Sequence, residues 1–289
     1  MLRHSAFRRL LGMGSLVLAL GLGCTKSDPT PEAQSPAPSA SVSPGAEPLP
    51  GEDEVEPEPQ PDLPAAETIL ARAAEAMGTP EAIARVESFY YRGTIEIPAQ
   101  NIHGDLEIWW KNGDFFMEQD IAGVGEMRAG KLGDEIWAED PISGRRRLSG
   151  VEAEQHAWAS SLLLAAEWTR FFDRARTVAA REESGRTVYD VELSSASGLT
   201  VVMSFDAETG LQIGQAFDQV TPMGTQPFEV HFEDYREVEG LELAFKQVID
   251  AQIQQIVQEI TEVKINVEVD ESRFGFPHAG GVVRQPKAG

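Results

Sequence analysis

The chain has 289 residues, 47 acidic against 24 basic side chains for a formal charge of −23, and a single cysteine. A balance this acidic is repelled by nucleic acid and by anionic lipid headgroups except where a local basic patch overrides it, which argues against nucleic-acid binding. One cysteine excludes a disulfide framework within the chain.

The N-terminus carries Arg3, Arg8 and Arg9, then an apolar run from Leu10 to Leu22, then Gly23 and Cys24. These are the three regions of a bacterial export signal. The apolar run is shorter than the roughly 20 residues that span a bilayer as a helix, and no later stretch approaches that length. Leu20-Gly21-Leu22-Gly23-Cys24 resembles the bacterial lipoprotein signal-peptide family, although Gly21 stands where that family prefers Leu. The resemblance implies cleavage of residues 1–23 and conversion of Cys24 to an acylated, palmitate-type diacylglyceryl cysteine that begins the mature chain. The alternatives are an ordinary secretory peptide with an incidental cysteine, a retained anchor, or twin-arginine export through Arg8-Arg9. Two or more hydrocarbon chains hold a protein stably on a membrane where one does not. Thr25-Lys26-Ser27 lacks the Asp that retains many such lipoproteins at the inner membrane. The resemblance thus points to the periplasmic face of the outer membrane.

Residues 24–64 read as a tether. From Ser27 to Pro64 the chain holds eleven of its eighteen prolines, with Ala and Ser between them and the acidic run Glu52 to Glu58 near the end. Such a composition cannot repay the entropy of ordering, which predicts an extended, disordered spacer. Loss of Arg3, Arg8 and Arg9 with the signal takes the formal charge to −26.

Residues 65–277 form the expected body, long enough for one sizeable core, and residues 278–289 a flexible tail. A helix is predicted over Ala65–Met77 from the spacing of Ile69, Leu70, Ala73 and Met77, stopped by Gly78 and Pro80, with one further turn over Glu81–Val86. Strands follow at Ser88–Ile97, Gly104–Trp110, Asp114–Gln119, Gly123–Arg128 and Gly133–Ala138, with Asn112-Gly113 as a hairpin turn. Arg145-Arg146-Arg147 reads as a turn, either simply solvated or facing a phosphate headgroup or an acidic partner. From Val151 to Phe172 there is no Gly or Pro, and a broad apolar stripe predicts one long helix. Strands resume at Ala175–Glu182, Arg186–Leu193, Leu199–Asp206, Leu211–Asp218, Gln226–Tyr235 and Leu241–Ile249, with Asp206 to Gly210 as a tight turn. The closing segment, Ile253 to Val269, reads as a bulged strand, with a short helix in its first half as the alternative. Val263, Ile265, Val267 and Val269 alternate there with polar residues, as on a half-buried strand.

This order predicts a mainly β fold: a strongly curved antiparallel sheet or open half-barrel of ten to eleven strands, with the long helix and the N-terminal helix over its concave face. Catalytic signatures are missing from the sequence: no HExxH, no GxSxG and no phosphate-binding loop, since Gly123-Val124-Gly125 lacks the spacing of one. His231 and Glu233 share one strand face, but no third metal ligand is nominated, so neither a metal nor another cofactor is expected. Aromatic side chains are more suggestive. Trp109, Phe115, Trp137, Trp158, Leu162 and Trp168 are the candidate lining of an apolar cavity between helix and sheet, the alternative being ordinary core.

Several segments together resemble the periplasmic lipoprotein-carrier and outer-membrane lipoprotein-sorting superfamily (LolA-like). They are the first helix, Val86 to Gly93, Gly133-Asp134-Glu135-Ile136-Trp137, Phe205 to Leu211, and Asn266 to Asp270 leading to Phe274 and Pro277. The resemblance implies an unclosed barrel lidded by helices that holds acyl chains, with no enzymatic activity. The superfamily's soluble carrier has no anchor, whereas this chain reads as anchored, so a stationary lipid-binding or acceptor member is implied. The implied partners are the membrane through Cys24, a hydrophobic ligand such as a lipid or an acylated lipoprotein, and envelope proteins. The alternative is a non-catalytic envelope interaction or assembly domain on the same scaffold, packed solid with no ligand cavity.

Overall fold

The computed structural model describes residues 63–161, 163–222, 224–251 and 254–277, all within one compact unit. Cys24, the signal, nearly all of the tether, Leu162, Ile253 and the tail after Pro277 lie outside the described residues.

Helix α1, Ala66–Met77, buries Ala66, Ile69, Leu70, Ala73 and Met77, which is the stripe that its spacing predicts. The short α2, Pro80–Ala84, starts at Thr79, whose Oγ1 accepts the Ala82 N–H at 3.1 Å, with Pro80 in the first turn where its missing N–H costs nothing. A meander follows: β1 Ser88–Ile97, β2 Ile102–Lys111, β3 Asp114–Ile121, β4 Gly125–Leu132, β5 Glu135–Asp140 and β6 Gly144–Arg147. Asn112 and Gly113 both take positive φ, +52° and +92°, which is the hairpin geometry that this dipeptide favours. After the helical segment come β7 Arg174–Glu183, β8 Arg186–Ser194, β9 Thr200–Asp206, β10 Gln212–Thr221, β11 Gly224–Val238, β12 Leu241–Asp250 and β13 Gln255–Ile265. Between β9 and β10, the Asp206 carboxylate accepts the N–H groups of Glu208 and Thr209 at 2.9 and 2.8 Å, which closes the expected turn.

The thirteen strands of the described residues join one antiparallel sheet in the order β6-β5-β4-β3-β2-β1-β13-β12-β11-β10-β9-β8-β7. The curved open half-barrel of ten to eleven strands is therefore corrected to an open, unclosed sheet of thirteen, with β6 and β7 as its two free edges among the described residues. The expected curl rested on apolar area that two helices could not hide. Part of that area is hidden by the C-terminal segment laid over β1 to β5. Elsewhere the second side is closed by paired charges such as Arg128–Glu118 at 2.8 Å, Arg181–Asp190 at 2.9 Å and Lys246–Glu233 at 2.7 Å. A side covered this way does not need the sheet to roll up on itself.

Three local departures have side-chain causes, hydrogen bonds in two and ion pairs in the third. The single helix expected over 151–172 is two pieces, α3 Gly150–Ala159 and α4 Leu164–Glu167, followed by a 3₁₀ turn at Trp168–Arg170. At the break the Ser160 hydroxyl donates to the Ala157 carbonyl at 2.8 Å, and the Ser161 Oγ accepts the Leu163 N–H at 3.2 Å. Arg145-Arg146-Arg147, expected as a turn, is edge strand β6. Arg145 pairs with Glu139 at 3.0 Å, Arg146 with Glu152 at 2.7 Å and Arg147 with Glu135, so carboxylates already engage this basic cluster. Strand β13 carries the expected bulge, its register shifting opposite Arg92 and Gly93, but it stops at Ile265 before Val267 and Val269. Asn266 takes φ +55°, its Oδ1 accepts the Glu87 N–H and its Nδ2 donates to the Arg85 carbonyl, both at 2.8 Å. The chain leaves the sheet there.

Candidate functional site

Strand alternation divides the sheet's side chains into two sets. Phe89, Trp110 and Phe115 are cross-strand partners on one side. Tyr90, Trp109, Phe116, Gly130, Trp137 and Arg147 form a partnered row on the other. The first side carries the helices.

On the helix side, α3 packs against β5 and β10, and α1 against α4, β7, β8 and β12. Trp158 of α3 is 1% exposed. Its ring meets Phe217 edge-on at 5.2 Å and Phe172 at 6.0 Å, and Phe217 stacks on Phe228 at 5.9 Å. Such aromatic pairs favour offset and edge-on geometries. Two polar clasps hold α3 down. Gln155 Nε2 donates to the Asp218 carbonyl at 2.7 Å and its Oε1 accepts the Val220 N–H at 2.8 Å, while Arg146 of β6 grips Glu152 through two bonds of 2.7 Å.

The helix side of the sheet is polar to a degree unusual for a core. Gln119, Gln155, Gln212, Gln215, Gln219, Gln247 and Gln258 are buried, as are His156, Ser160 and Ser161. Among the described residues several of their atoms have no hydrogen-bond partner: Gln215 Nε2, Gln247 Oε1, Gln258 Oε1 and His156 Nδ1, together with Trp158 Nε1. Burial pushes the His156 imidazole down to about 4; Glu152 opposes this and Arg146 reinforces it. The imidazole is therefore neutral near pH 7. Sequence reading missed these glutamines, although Gln215, Gln219, Gln247 and Gln258 stand at strand positions where alternation calls for apolar side chains.

On the opposite side, the segment after Asn266 runs as a strap over the aromatic row. Trp137 Nε1 donates to the Phe274 carbonyl at 2.8 Å, and Arg145 donates to the Pro277 carbonyl at 3.0 Å. The Arg273 guanidinium lies 5.3 Å from the Trp109 ring centre and 4.7 Å from that of Phe116, and Arg147 lies 4.0 Å over Phe276. Phe116, Trp137 and Phe274 are buried together, with Trp109, Val269 and Phe276 against them.

Five of the six candidate lining residues are thus distributed, Leu162 lying outside the described residues. Trp109 and Trp137 come together under the strap, Phe115 lies on the helix side, and Trp158 sits at the centre of the helix-side aromatic cluster. Trp168 borders a surface concavity of about 640 Å³ with Glu67, Asp173, Arg174, Ala175, Arg176, Glu192 and Ser194. A second concavity, of about 310 Å³, includes Ala82, Arg85, Glu239 and Asn266. His231 is exposed and Glu233 is paired with Lys246, and among the described residues no group of three or more His, Cys, Asp or Glu side chains is placed to hold a metal ion.

No family model matches the sequence, and no curated protein matches it. Solved structures do. A LolA superfamily protein from Nitrosomonas europaea superposes with a TM-score of 0.51 at 14% identity, over 74% of this chain and 98% of that one. A DUF1329 family protein from Desulfovibrio piger gives a TM-score of 0.51 at 12% identity, again over 74% and 98%. At these identities the likeness is one of fold: this is a distant LolA-like and DUF1329-like fold, with no specific family assigned.

Proposed function

We propose that the chain is a membrane-anchored envelope lipoprotein, held through acylated Cys24 at the periplasmic face of the outer membrane. In this reading its body binds a lipid or acylated-protein chain on the helix side of the sheet and acts in lipid or lipoprotein sorting or acceptance, by binding and not by catalysis. One observation carries the reading. The cover over the helix-side aromatic cluster is in two pieces, broken at Ser160 and Ser161 just after Ala159, and α3 is held to β10 by the side chain of Gln155. A cover clasped by a few polar bonds opens more readily than one sealed by a continuous apolar stripe. The fold likeness supports the same reading.

A second reading, a packed interaction domain without a ligand space, draws support from the charged lining of the 640 Å³ concavity, which is a surface groove and not an apolar cavity. Native mass spectrometry separates the two. Chain lacking its own acyl groups, purified from cells, carries lipid that is released only on denaturation if the first reading holds. Absence of lipid, together with no displacement of a fluorescent fatty-acid probe by added lipids, rejects it.

A further inference from the structure

The helix-side interior holds two hydrogen-bond donors whose identity is fixed by chemistry. Trp158 Nε1 can only donate, and it is buried without a partner among the described residues. Gln215 is oriented by its neighbour, since Gln212 Nε2 donates to Gln215 Oε1 at 3.1 Å, which leaves Gln215 Nε2 as the free end. Both flank Phe217 on the helix side of β10. The Trp158 ring lies edge-on to it at 5.2 Å, and Gln215 is its same-side neighbour two residues along β10, about 7 Å away by strand rise. On the same side two strands over, Gln247 and Gln258 are direct partners across β12 and β13, are 1% and 2% exposed, and each has an Oε1 with no donor. A buried polar group left unmatched costs about 1–3 kcal/mol, so a set of them marks a place where something complementary belongs.

Building on the lipid-binding reading, we infer that this interior is a selective site for an uncharged acyl ester or amide. Trp158 Nε1 and Gln215 Nε2 donate to its carbonyl oxygen, and Gln247 and Gln258 accept from its hydroxyl or N–H groups. The site excludes free fatty-acid anions. A buried carboxylate needs a cation or several strong donors, and Arg146, which reaches α3, is already spent on Glu152. The acyl chain itself lies along Phe217, Phe228 and Val230, which share this side of β10 and β11.

The test uses the full chain with Cys24→Ser, so that no acyl group of its own competes, and measures binding of monoolein, oleamide, oleate and 1-octadecene. The expected order is monoolein and oleamide tighter than oleate by at least about tenfold. Gln215→Met and Trp158→Phe each weaken monoolein about five- to tenfold, the worth of one neutral hydrogen bond, while octadecene binding is unchanged. Oleate binding as tightly as monoolein overturns the inference and leaves the lipid-binding reading standing. So does an equal loss of monoolein and octadecene in both variants, which marks a packing role only. Failure of wild-type chain to bind any of the four rejects the lipid-binding reading and this inference together.

Discussion

Trp137 and Phe274, 137 positions apart in the chain, are joined by a 2.8 Å bond from the indole Nε1 to the Phe274 carbonyl, and this bond passes directly over Gly130. A Cβ on Gly130 would lie 2.5 Å from Trp137 Nε1 and 2.6 Å from the Phe274 carbonyl oxygen. Neither the wedged indole nor the strap backbone has room to yield. Gly130→Ala is therefore expected to cost about 1–3 kcal/mol, by overpacking. Trp137→Phe, which leaves the carbonyl unmatched, is expected to cost about 1–2 kcal/mol. Denaturant midpoints measure both, and limited proteolysis should show cleavage after Arg273 rising in each variant. Unchanged protection at that site would mean that the strap is held by other contacts.

Stability should fall as pH drops from about 6.5 to about 4. In the unfolded chain the His156 imidazole binds its proton near 6.5, whereas in the fold burial pushes that down to about 4. Between these values the unfolded state holds more protons, so stability rises with pH across the window, by about 3 kcal/mol in all. His156→Phe should flatten that slope, as read from urea midpoints at pH 4.5 and 7. Asp206 acts lower down. Burial pushes its carboxyl up, but the N–H groups of Thr209 and Glu208, with Arg186, outweigh this and hold it below the usual range. Its contribution is lost only on further acidification, so the two slopes are separable.

Replacing Gln155 by Leu removes both clasp bonds to β10 and leaves the Asp218 carbonyl and Val220 N–H unmatched. The expected loss is about 1–3 kcal/mol of protection against opening of α3. Hydrogen exchange of Gly150–Ala159 should accelerate while exchange in β1 to β3 stays the same. Uniform acceleration across the sheet would show that α3 opens only with the whole body.

Cys24→Ala should abolish incorporation of labelled palmitate and move the chain from the membrane to the soluble fraction of the envelope. Retention in the membrane fraction would point to the uncleaved apolar segment, Leu10–Leu22, as the anchor.

Much of the fold is legible in the chain because its signals are local. The Asn112-Gly113 turn, the Asp206 turn and the α1 stripe each depend on neighbours a few residues away. The face chosen by an aromatic residue is different. Trp109 and Trp110 are equivalent by composition, and only the strap, arriving from Arg273 and Phe274, makes the Trp109 side a place to bury a ring. The arginines of β6 are misleading for a similar reason, since Glu135, Glu139 and Glu152 turn a nominal basic patch into paired edge charges. The serine break after Ala159 is a competition between side-chain and helical hydrogen bonds that apolar periodicity does not register. At the candidate site, Gln215, Gln219, Gln247 and Gln258 occupy inward strand positions, and composition alone does not tell a buried glutamine from a solvated one.

The described chain begins and finishes at the two free edges of the sheet. Thr177 of β7 donates its hydroxyl to the Pro64 carbonyl at 2.6 Å, and Arg145 of β6 holds the Pro277 carbonyl. The body therefore carries a built-in ruler. A donor and acceptor dye placed beside Pro64 and Pro277 report the distance between β7 and β6, so any spreading or drawing together of the sheet's margins when a guest enters becomes a change in energy transfer, with no label near the interior itself.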